Sequence, residues 1–254
     1  MPRLANKTAI ITGAANGMGF AGALTFSAEG AKLVLTDLDE DALKSAVAEI
    51  QGRGGKAVYL VADASSESDN EAAVDLAVKE FGGLDIFWAN AGIPQELRPI
   101  TDTSVEEFDK LMAVNSRGPW LGARAAKAAL AERGGGAIVI TASLSGIKAR
   151  ADLAAYQASK GAAVMLTRSL SRELAPLHIR VNSVCPLAAT TQMWAQFLGP
   201  GADVEAATAA TAAASPLGRM AEAQDVANAA LFLASDEASF ITGVNLPVDG
   251  GSLA

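Results

Sequence analysis

The sequence predicts a single α/β domain, built as a doubly wound parallel sheet of seven strands with helices on both faces. Short runs rich in Val and Ile alternate with Ala-rich amphipathic stretches, which indicates strands alternating with helices. Half of the residues are hydrophobic but only 5% are aromatic, so the core must use small aliphatic side chains that suit helix-on-sheet packing. The 254 residues approach the upper size of one core and contain no Pro/Gly/Ser-rich linker, so we expect one domain over residues 1–254.

The local pattern places the strands and the beginnings of several helices. Each of three helices follows a residue that can cap it: Asp39 before Glu40–Ile50, Ser66 before Glu67–Glu80, and Ser104 before Glu106–Val114. The expected strands are short aliphatic runs: Thr8–Ile11, Lys32–Thr36, Ala57–Val61, Asp85–Trp88, Ala137–Thr141, Arg180–Val184 and Val244–Val248.

The segment from about residue 188 to 215 departs from this regular alternation. It is rich in Ala and Thr, and Met193, Trp194, Phe197 and Leu198 cluster near its beginning. We interpret it as an insertion that forms a lid over an apolar substrate. The alternative is that its large side chains only pack the segment onto the core.

Charge and composition exclude several classes of function. Twenty basic against 28 acidic residues give a net charge of −8, and the Lys and Arg residues are scattered, so we expect no nucleic-acid partner. No apolar run reaches the length of a membrane span and no signal peptide is evident, so we expect a cytoplasmic protein. The only cysteine, Cys185, cannot form an internal disulfide, and with the only histidine, His178, it cannot make a zinc site. We expect a buried thiol and a turn or surface histidine, and no metal.

A glycine-rich turn follows the first predicted strand and opens the first helix. It runs from Thr12 through Gly13, Gly17 and Gly19. Backbone N–H groups and the helix dipole can hold a pyrophosphate at such a place, and glycines let the backbone come close to it. In a chain with 24 glycines the triplet alone is a weak signal, and plain turn chemistry is the alternative.

Asp37, at the end of the second strand, strengthens the dinucleotide interpretation. An acidic residue about 20 residues after the glycine turn accepts hydrogen bonds from an adenosine ribose. Because a carboxylate repels a 2′-phosphate, NAD is favoured over NADP. The alternative is that Asp37 caps the helix that begins near Asp39.

Tyr156 and Lys160 lie four residues apart in a helical stretch over Leu153–Leu174, so they share one helix face. A phenol has a reference pKa near 10 and is a poor base at neutral pH unless a nearby cation favours the phenolate. Ser143 follows the strand over Ala137–Thr141, at the carboxyl edge of the sheet, where doubly wound folds bind ligands. These three side chains are therefore candidates for one catalytic site.

Several separated motifs together resemble the short-chain dehydrogenase/reductase family, of the NAD-preferring type with about 250 residues and a Rossmann fold. The match runs over nearly the whole chain and includes two further single positions, Asn115 and Ser143. Its motifs, in order, are Thr12 to Gly19 for Thr-Gly-x-x-x-Gly-x-Gly, Asn90-Ala91-Gly92 for the Asn-Ala-Gly turn, Tyr156 to Lys160 for Tyr-x-x-x-Lys, and Ile241-Thr242-Gly243 with Val248-Asp249-Gly250-Gly251 for the last strand.

The resemblance implies a role for each matched residue. Ser143 would hydrogen-bond the substrate oxygen and Tyr156 would exchange a proton with it, while hydride moves to or from nicotinamide C4. Lys160 would bind the nicotinamide ribose and lower the Tyr156 pKa, and Asn115 would hold a water that links Lys160 to solvent. Without the resemblance Asn115 reads equally well as an ordinary polar residue that breaks a helix.

The resemblance also implies a set of cofactor-binding residues. Asp63 would contact the adenine, although capping of the next helix is an alternative. The full set is Gly13, Asn16, Gly17, Met18, Gly19, Asp37, Asp63, Ala64, Asn90, Gly92, Tyr156, Lys160, Pro186, Ala189 and Thr191.

Two positions depart from the family pattern. Ala89 stands where a first asparagine often precedes Asn-Ala-Gly, which removes one support for the central strand. Leu187 follows Pro186 where the family usually has glycine, and leucine cannot freely adopt a positive φ. We therefore expect either a rearranged nicotinamide loop, which makes Thr191 a less secure contact, or a Leu187 that trims the substrate pocket.

The expected substrate is a hydrophobic or cyclic secondary alcohol and its ketone, interconverted with NAD(H). The expected pocket wall is mostly apolar: Gln95, Leu97, Leu144, Ile147, Met193, Trp194 and Phe197. The alternatives are a 3-oxoacyl-thioester reductase of fatty-acid synthesis, against which Asp37 argues, and a non-catalytic dinucleotide sensor, against which the complete catalytic set argues. The resemblance also implies a homotetramer that pairs helices around Ser104–Arg133 and Leu153–Leu174.

Overall fold

The computed structural model describes residues 2–254 and contains one seven-stranded sheet in which every neighbouring pair is parallel. The strand order is β3-β2-β1-β4-β5-β6-β7, which confirms the doubly wound α/β prediction. The strands are β1 (Thr8–Thr12), β2 (Lys32–Asp37), β3 (Lys56–Val61), β4 (Ile86–Ala89), β5 (Gly136–Thr141), β6 (Ile179–Pro186) and β7 (Asn245–Val248). Each of these strands overlaps one predicted from the hydrophobic pattern.

Nine α-helices connect or follow the strands within the described residues. They are α1 (Gly17–Ala28), α2 (Glu40–Gly52), α3 (Glu67–Phe81), α4 (Val105–Met112), α5 (Gly118–Glu132), α6 (Ala154–Leu174), α7 (Gln192–Leu198), α8 (Val204–Ala213) and α9 (Ala223–Ala234). The three predicted caps are confirmed, because the side chains of Asp39, Ser66 and Ser104 each accept a hydrogen bond from a backbone N–H in the first turn.

Two layers of helices cover the sheet and bury its two faces. Alternate β1 residues point to opposite sides, so Ile11 joins a core with α1, α2 and α9, whereas Ile10 joins a core with α3, α5 and α6. Ala, Val, Leu and Ile dominate both cores, and Phe26, Phe87 and Trp88 are the largest fully buried side chains. The scarcity of aromatic residues therefore fits helices that pack close to the sheet.

The sheet order reverses between β1 and β4, and this reversal positions the site. The chain winds outward from β1 to β3 in one direction and then from β4 to β7 in the other. The connections that leave β1 and β4 at their carboxyl ends diverge to opposite faces, which opens a crevice there. The Thr12 to Gly19 turn and the Asn90-Ala91-Gly92 turn both lie at this crevice.

Several local expectations can be compared with the structure directly. The helix predicted over Glu106–Val114 gives way at Ala113 to a π-helical segment that runs to Arg117. Cys185 is fully buried, and His178 is an exposed turn residue with a φ of 56°, as expected for both. Within residues 2–254, no helix is both long and apolar enough to cross a membrane.

Candidate active site

The floor of the crevice is a chain of hydrogen bonds between three strand ends. The Asn90 side-chain amide donates to the carbonyls of Thr12 and Gly13, both at 3.1 Å. Its Oδ1 accepts from the Thr141 hydroxyl at 3.0 Å, and that hydroxyl in turn accepts from the Trp88 indole at 2.9 Å. One buried network thus joins β1, β4 and β5, with Ala89 buried beside it.

The glycine turn has the shape that a bound pyrophosphate requires. Gly13 and Gly17 have φ values of +62° and +55°, which side chains rarely tolerate. At Gly19 a Cβ would lie 2.0 Å from the Gly13 carbonyl oxygen, so only glycine fits between the turn and α1. Asn16, which precedes α1, makes no side-chain cap hydrogen bond. The first backbone N–H groups of α1 are therefore available to a ligand in the crevice. These features fit a dinucleotide.

Asp37 lies on the cavity wall at the end of β2, about where an adenosine ribose is expected. Its Oδ2 accepts from the Ala15 backbone at 3.1 Å, and its Oδ1 accepts from the Leu38 backbone at 2.8 Å. Asp39, not Asp37, caps α2. The Asp37 carboxylate is therefore held against the glycine turn.

Ser143, Tyr156 and Lys160 come together at the wall of the same cavity. Lys160 Nζ donates to the Thr141 carbonyl at 2.8 Å and lies 5.9 Å from the centre of the Tyr156 ring. All three side chains are buried, and Phe197 packs edge-on against Tyr156 with ring centres 5.0 Å apart. The three catalytic candidates named from the sequence therefore share one site.

Burial changes the proton affinity of both titratable groups. It raises the pKa of the Tyr156 phenol to about 12, although a hydrogen bond to Ser143 opposes the rise. It lowers the pKa of Lys160 to about 8, with the neighbouring Cys185 side chain as the opposing influence. Desolvation is the larger of the two influences on the phenol, and the expectation that Lys160 lowers the Tyr156 pKa stays a prediction. At neutral pH these groups favour a protonated phenol beside a cation.

Asn115 is fully buried in the π-helical segment, next to the catalytic side chains. Its amide accepts from the Ile93 N–H at 2.9 Å and donates to the Ile93 carbonyl at 3.0 Å and to the Ser159 hydroxyl at 3.1 Å. A Cβ at Gly92 would meet both Asn115 Oδ1 at 3.1 Å and Lys160 Nζ at 3.2 Å. The π-helical turn therefore brings the Asn115 side chain toward Lys160.

A cavity of about 770 Å³ joins the glycine turn to the three catalytic candidates. Most of the residues named from the sequence line it: Gly13, Asn16, Gly17, Met18, Asp37, Asn90, Gly92, Ser143, Tyr156, Lys160, Pro186, Ala189 and Thr191. Leu97, Leu144, Met193, Trp194 and Phe197 line it as well. This volume is in the range of small-molecule and cofactor sites.

Four cofactor or catalytic candidates lie off this lining. Gly19 and Asn115 lie directly behind it, against Gly13 and Gly92. Asp63 and Ala64 lie beyond it, at the start of α3. There Asp63 Oδ1 accepts from the backbone and hydroxyl of Ser65, both at 2.8 Å, in the turn before α3, whereas Ser66 caps that helix.

Two predicted pocket residues also lie off the lining, and two charged ones were missed. Gln95 is turned away and hydrogen-bonds protein groups instead, while Ile147 is 40% exposed. Lys148 and Arg150, in the loop that follows Ser143, contribute cationic side chains to the rim. The apolar pattern used for prediction carried no signal for these two, since loop lysines and arginines usually face solvent.

Leu187 is accommodated without strain. It does not adopt a positive φ, and its N–H donates to the Val248 carbonyl at 3.0 Å, so the loop continues the pairing of β6 with β7. Its side chain lines the cavity, as the second of the two sequence-based alternatives predicts.

Comparisons with known proteins agree with the geometry. A family model described as enoyl-(acyl carrier protein) reductase matches residues 13–252. Cyclopentanol dehydrogenase of Comamonas testosteroni is 41% identical over 254 residues, covering 100% of both chains. The 2,5-dichloro-2,5-cyclohexadiene-1,4-diol dehydrogenase LinX of Sphingobium indicum is 39% identical over 251 residues, 98% of this chain and 97% of the relative.

Among solved structures, a 3-ketoacyl-(acyl-carrier-protein) reductase from Brucella melitensis complexed with NADH is 37% identical, with a TM-score of 0.91 over 99% of this chain and 100% of that one. Relatives of such identity and coverage, together with the family model, show an oxidoreductase of the type that uses a nicotinamide dinucleotide and acts on CH–OH groups. The chain belongs to the short-chain dehydrogenase/reductase superfamily.

Proposed function

We propose that this protein is an NAD(H)-dependent oxidoreductase that interconverts a hydrophobic or cyclic secondary alcohol and its ketone, with Tyr156 as the general acid/base. One observation carries the proposal: the Ser143, Tyr156 and Lys160 side chains meet on the wall of the cavity that the glycine turn opens into. The same cavity therefore offers a dinucleotide cradle and a proton-transfer group.

The mechanism follows from the environment of each side chain. Bound NAD(H) supplies or accepts the hydride. The Ser143 hydroxyl hydrogen-bonds the substrate oxygen and orients it toward Tyr156. In ketone reduction the phenol, whose pKa is raised to about 12, keeps its proton at neutral pH and donates it to the developing alkoxide. In alcohol oxidation the phenolate form of Tyr156 must accept that proton and become the neutral phenol. The Lys160 ammonium, held by the Thr141 carbonyl at 2.8 Å, favours the phenolate that this step requires.

The NAD preference rests on Asp37. A ribose can share the carboxylate, whereas a 2′-phosphate would bring a second anion to it. We expect Asp37→Ser combined with Leu38→Arg to shift the ratio of kcat/KM values toward NADP, because Leu38 is 70% exposed and free to be replaced. Unchanged coenzyme preference would refute the proposal that Asp37 selects NAD over NADP.

The substrate class rests on the cavity wall and on the relatives. Apart from the Lys148 and Arg150 rim, the catalytic end is mostly apolar, with Leu97, Leu144 and Phe197 among its residues. Two of the most similar relatives act on cyclic alcohols by their names, a cyclopentanol dehydrogenase and a cyclohexadiene-diol dehydrogenase. We therefore propose a cyclic or hydrophobic secondary alcohol as the substrate of the present chain.

An NAD-coupled activity screen over cyclic, aliphatic and aromatic secondary alcohols tests the proposed activity and substrate class. We expect turnover with cyclopentanol or cyclohexanol, and a loss of at least about 100-fold in kcat for Tyr156→Phe, which removes the acid/base group but keeps the ring. NADH binding by the Phe variant, followed by nicotinamide fluorescence, serves as the folding control. Near-normal turnover by that variant refutes the mechanism.

A 3-oxoacyl-thioester reductase is the second candidate. The Brucella reductase carries that activity in its description and was solved with NADH, so the preference for NAD at Asp37 does not separate the two functions. Acetoacetyl thioesters in the same screen decide between them: a kcat/KM above that for every cyclic ketone favours this candidate. Tight NADH binding without turnover of any substrate would favour a dinucleotide sensor.

Three further expectations accompany the proposal. Residues 188–215, with α7 and α8, act as the substrate lid. The protein forms a homotetramer through α4, α5 and α6, whose outer faces leave Val105, Trp120 and Met165 exposed by 71%, 43% and 58%. Its location is cytoplasmic. Sedimentation analysis of the purified protein checks the oligomer.

A further inference from the structure

Gln95 is a buried polar side chain that lies off the cavity lining and takes no part in the proposed mechanism. It lies in the loop over residues 93–98, after β4, and is 1% exposed. Its Oε1 accepts a hydrogen bond from the backbone N–H of Tyr156 at 2.8 Å, and its Nε2 donates to the Thr103 hydroxyl at 3.1 Å. Both ends of the amide are therefore committed, one of them to the backbone of the proposed acid/base residue.

The catalytic helix lacks a cap of its own. Leu153, at the N-cap position of α6, has no polar side chain and makes no cap hydrogen bond. Tyr156 is the third residue of α6, so its N–H is one of the four that have no partner inside the helix. Gln95, 61 residues away in the chain, satisfies this N–H.

We propose that Gln95 is a positioning residue for Tyr156, acting as a cap that the neighbouring loop supplies to α6. The same loop also fixes the aromatic residue that packs on the phenol, because the Leu97 N–H donates to the Phe197 carbonyl at 3.0 Å. The loop therefore holds Tyr156 from two sides, through its backbone and through its ring. A displacement of about 1 Å can cost on the order of 100-fold in rate, so such a clamp matters to turnover.

The inference rests on the proposed function, and three variants separate it from a general loss of stability. Gln95→Leu removes both hydrogen bonds while keeping similar bulk. Gln95→Glu keeps an acceptor for the Tyr156 N–H, and the Thr103 hydroxyl can rotate to donate to the carboxylate. Asn182→Leu is the matched control, because Asn182 is also 1% exposed and makes two amide hydrogen bonds, to Ile241 and Val244, outside the cavity lining.

The first readout is kinetic. We expect Gln95→Leu to lower kcat at least roughly tenfold with an unchanged KM for NAD, because the glycine turn and Asp37 are untouched. Gln95→Glu should recover most of kcat, with the activity for alcohol oxidation displaced to higher pH since a nearby carboxylate disfavours the phenolate. Asn182→Leu should lower the melting temperature comparably but leave kcat near the wild-type value. Thr103→Val frees only one end of the amide, so its kcat should lie between those of the wild-type protein and Gln95→Leu. This variant replaces Gln95→Leu in the test if Gln95→Leu does not fold.

The second readout does not depend on activity. The chain has only two tyrosines, Tyr59 and Tyr156, so protein labelled with ¹⁵N-tyrosine gives one amide signal from each. In Gln95→Leu the Tyr156 amide should exchange with solvent at least about tenfold faster, while the Tyr59 amide in β3 stays protected.

The outcomes are distinguishable. Faster exchange at Tyr156 together with a lowered kcat that Gln95→Glu restores supports the proposal. A wild-type kcat in Gln95→Leu, or an equal loss of kcat in Asn182→Leu, overturns it. Absence of turnover in the wild-type protein would count against the proposed function, whereas unchanged Tyr156 exchange would count against the role of Gln95 alone.

Discussion

The buried ammonium of Lys160 should leave a measurable trace in the stability of the protein. Burial lowers its pKa from 10.5 to about 8, while its Nζ donates to the Thr141 carbonyl at 2.8 Å. Replacing Lys160 with Met removes the charge but keeps much of the length. The lost bond to Thr141 shifts the stability by an amount that does not depend on pH, so the difference in pH dependence between the two proteins reports the ammonium and the groups coupled to it.

The sign follows from linkage. A base whose pKa is lower in the folded protein than in the unfolded chain destabilises the fold below the folded pKa, and this penalty disappears as pH rises from about 8 to 10.5. At about 1.4 kcal/mol per unit, the penalty at pH 7 is roughly 3 kcal/mol, of which roughly 2 to 3 kcal/mol is relieved by pH 10. For a chain of this size that corresponds to about 5–10 °C in melting temperature.

Urea unfolding of the wild-type protein and of Lys160→Met at pH 7, 8, 9 and 10 measures this difference. We expect the free energy of unfolding of the wild-type protein to rise relative to the variant across the series. The Cys185 thiol faces Lys160 and its pKa is raised by burial, so both proteins are also measured with Cys185→Ala. Two stability curves that run parallel from pH 7 to 10 would show that Lys160 is not desolvated and would refute the reasoning.

Three further substitutions test the cavity floor and wall. Gly19→Ala would place a Cβ 2.0 Å from the Gly13 carbonyl oxygen, so the turn must move, and NADH affinity by fluorescence titration should fall at least about tenfold; unchanged affinity contradicts the fit. Asn90→Ala removes three hydrogen bonds, and at about 1 kcal/mol each the calorimetric melting temperature should fall by roughly 6–12 °C; coincident melting curves would contradict this. Leu187→Ala enlarges the cavity, so kcat/KM for 2-methylcyclohexanol should rise relative to that for cyclopentanol. An unchanged ratio would argue against a contact between Leu187 and the substrate.

Features with a local sequence signal were predictable. The strands are found within a few residues of their predicted positions because short runs rich in Val and Ile, bounded by turns, are typical of buried strands. The caps at Asp39, Ser66 and Ser104 were predictable because a capping side chain reaches only three residues along its own chain. The spacing of Tyr156 and Lys160 likewise sets their shared helix face.

Features that depend on distant contacts were not predictable. Gln95 was expected in the pocket wall, but its partner is the Tyr156 backbone, and nothing within a few residues of Gln95 indicates that contact. The π-helical turn that carries Asn115 has no compositional signal, since the residues around it form an ordinary helix equally well. The cationic rim at Lys148 and Arg150 depends on how the loop after Ser143 folds back over the crevice.

The two helices of the proposed lid, α7 and α8, contain no buried residue, although Trp194 and Phe197 line the cavity. Substitutions at exposed or half-buried positions usually change stability by less than about 0.5 kcal/mol, whereas the catalytic side chains are anchored in the sheet, α6 and the loop over residues 93–98. Substitutions in α7 and α8 at positions other than Phe197, which packs on Tyr156, should therefore alter the substrate range without loss of the fold.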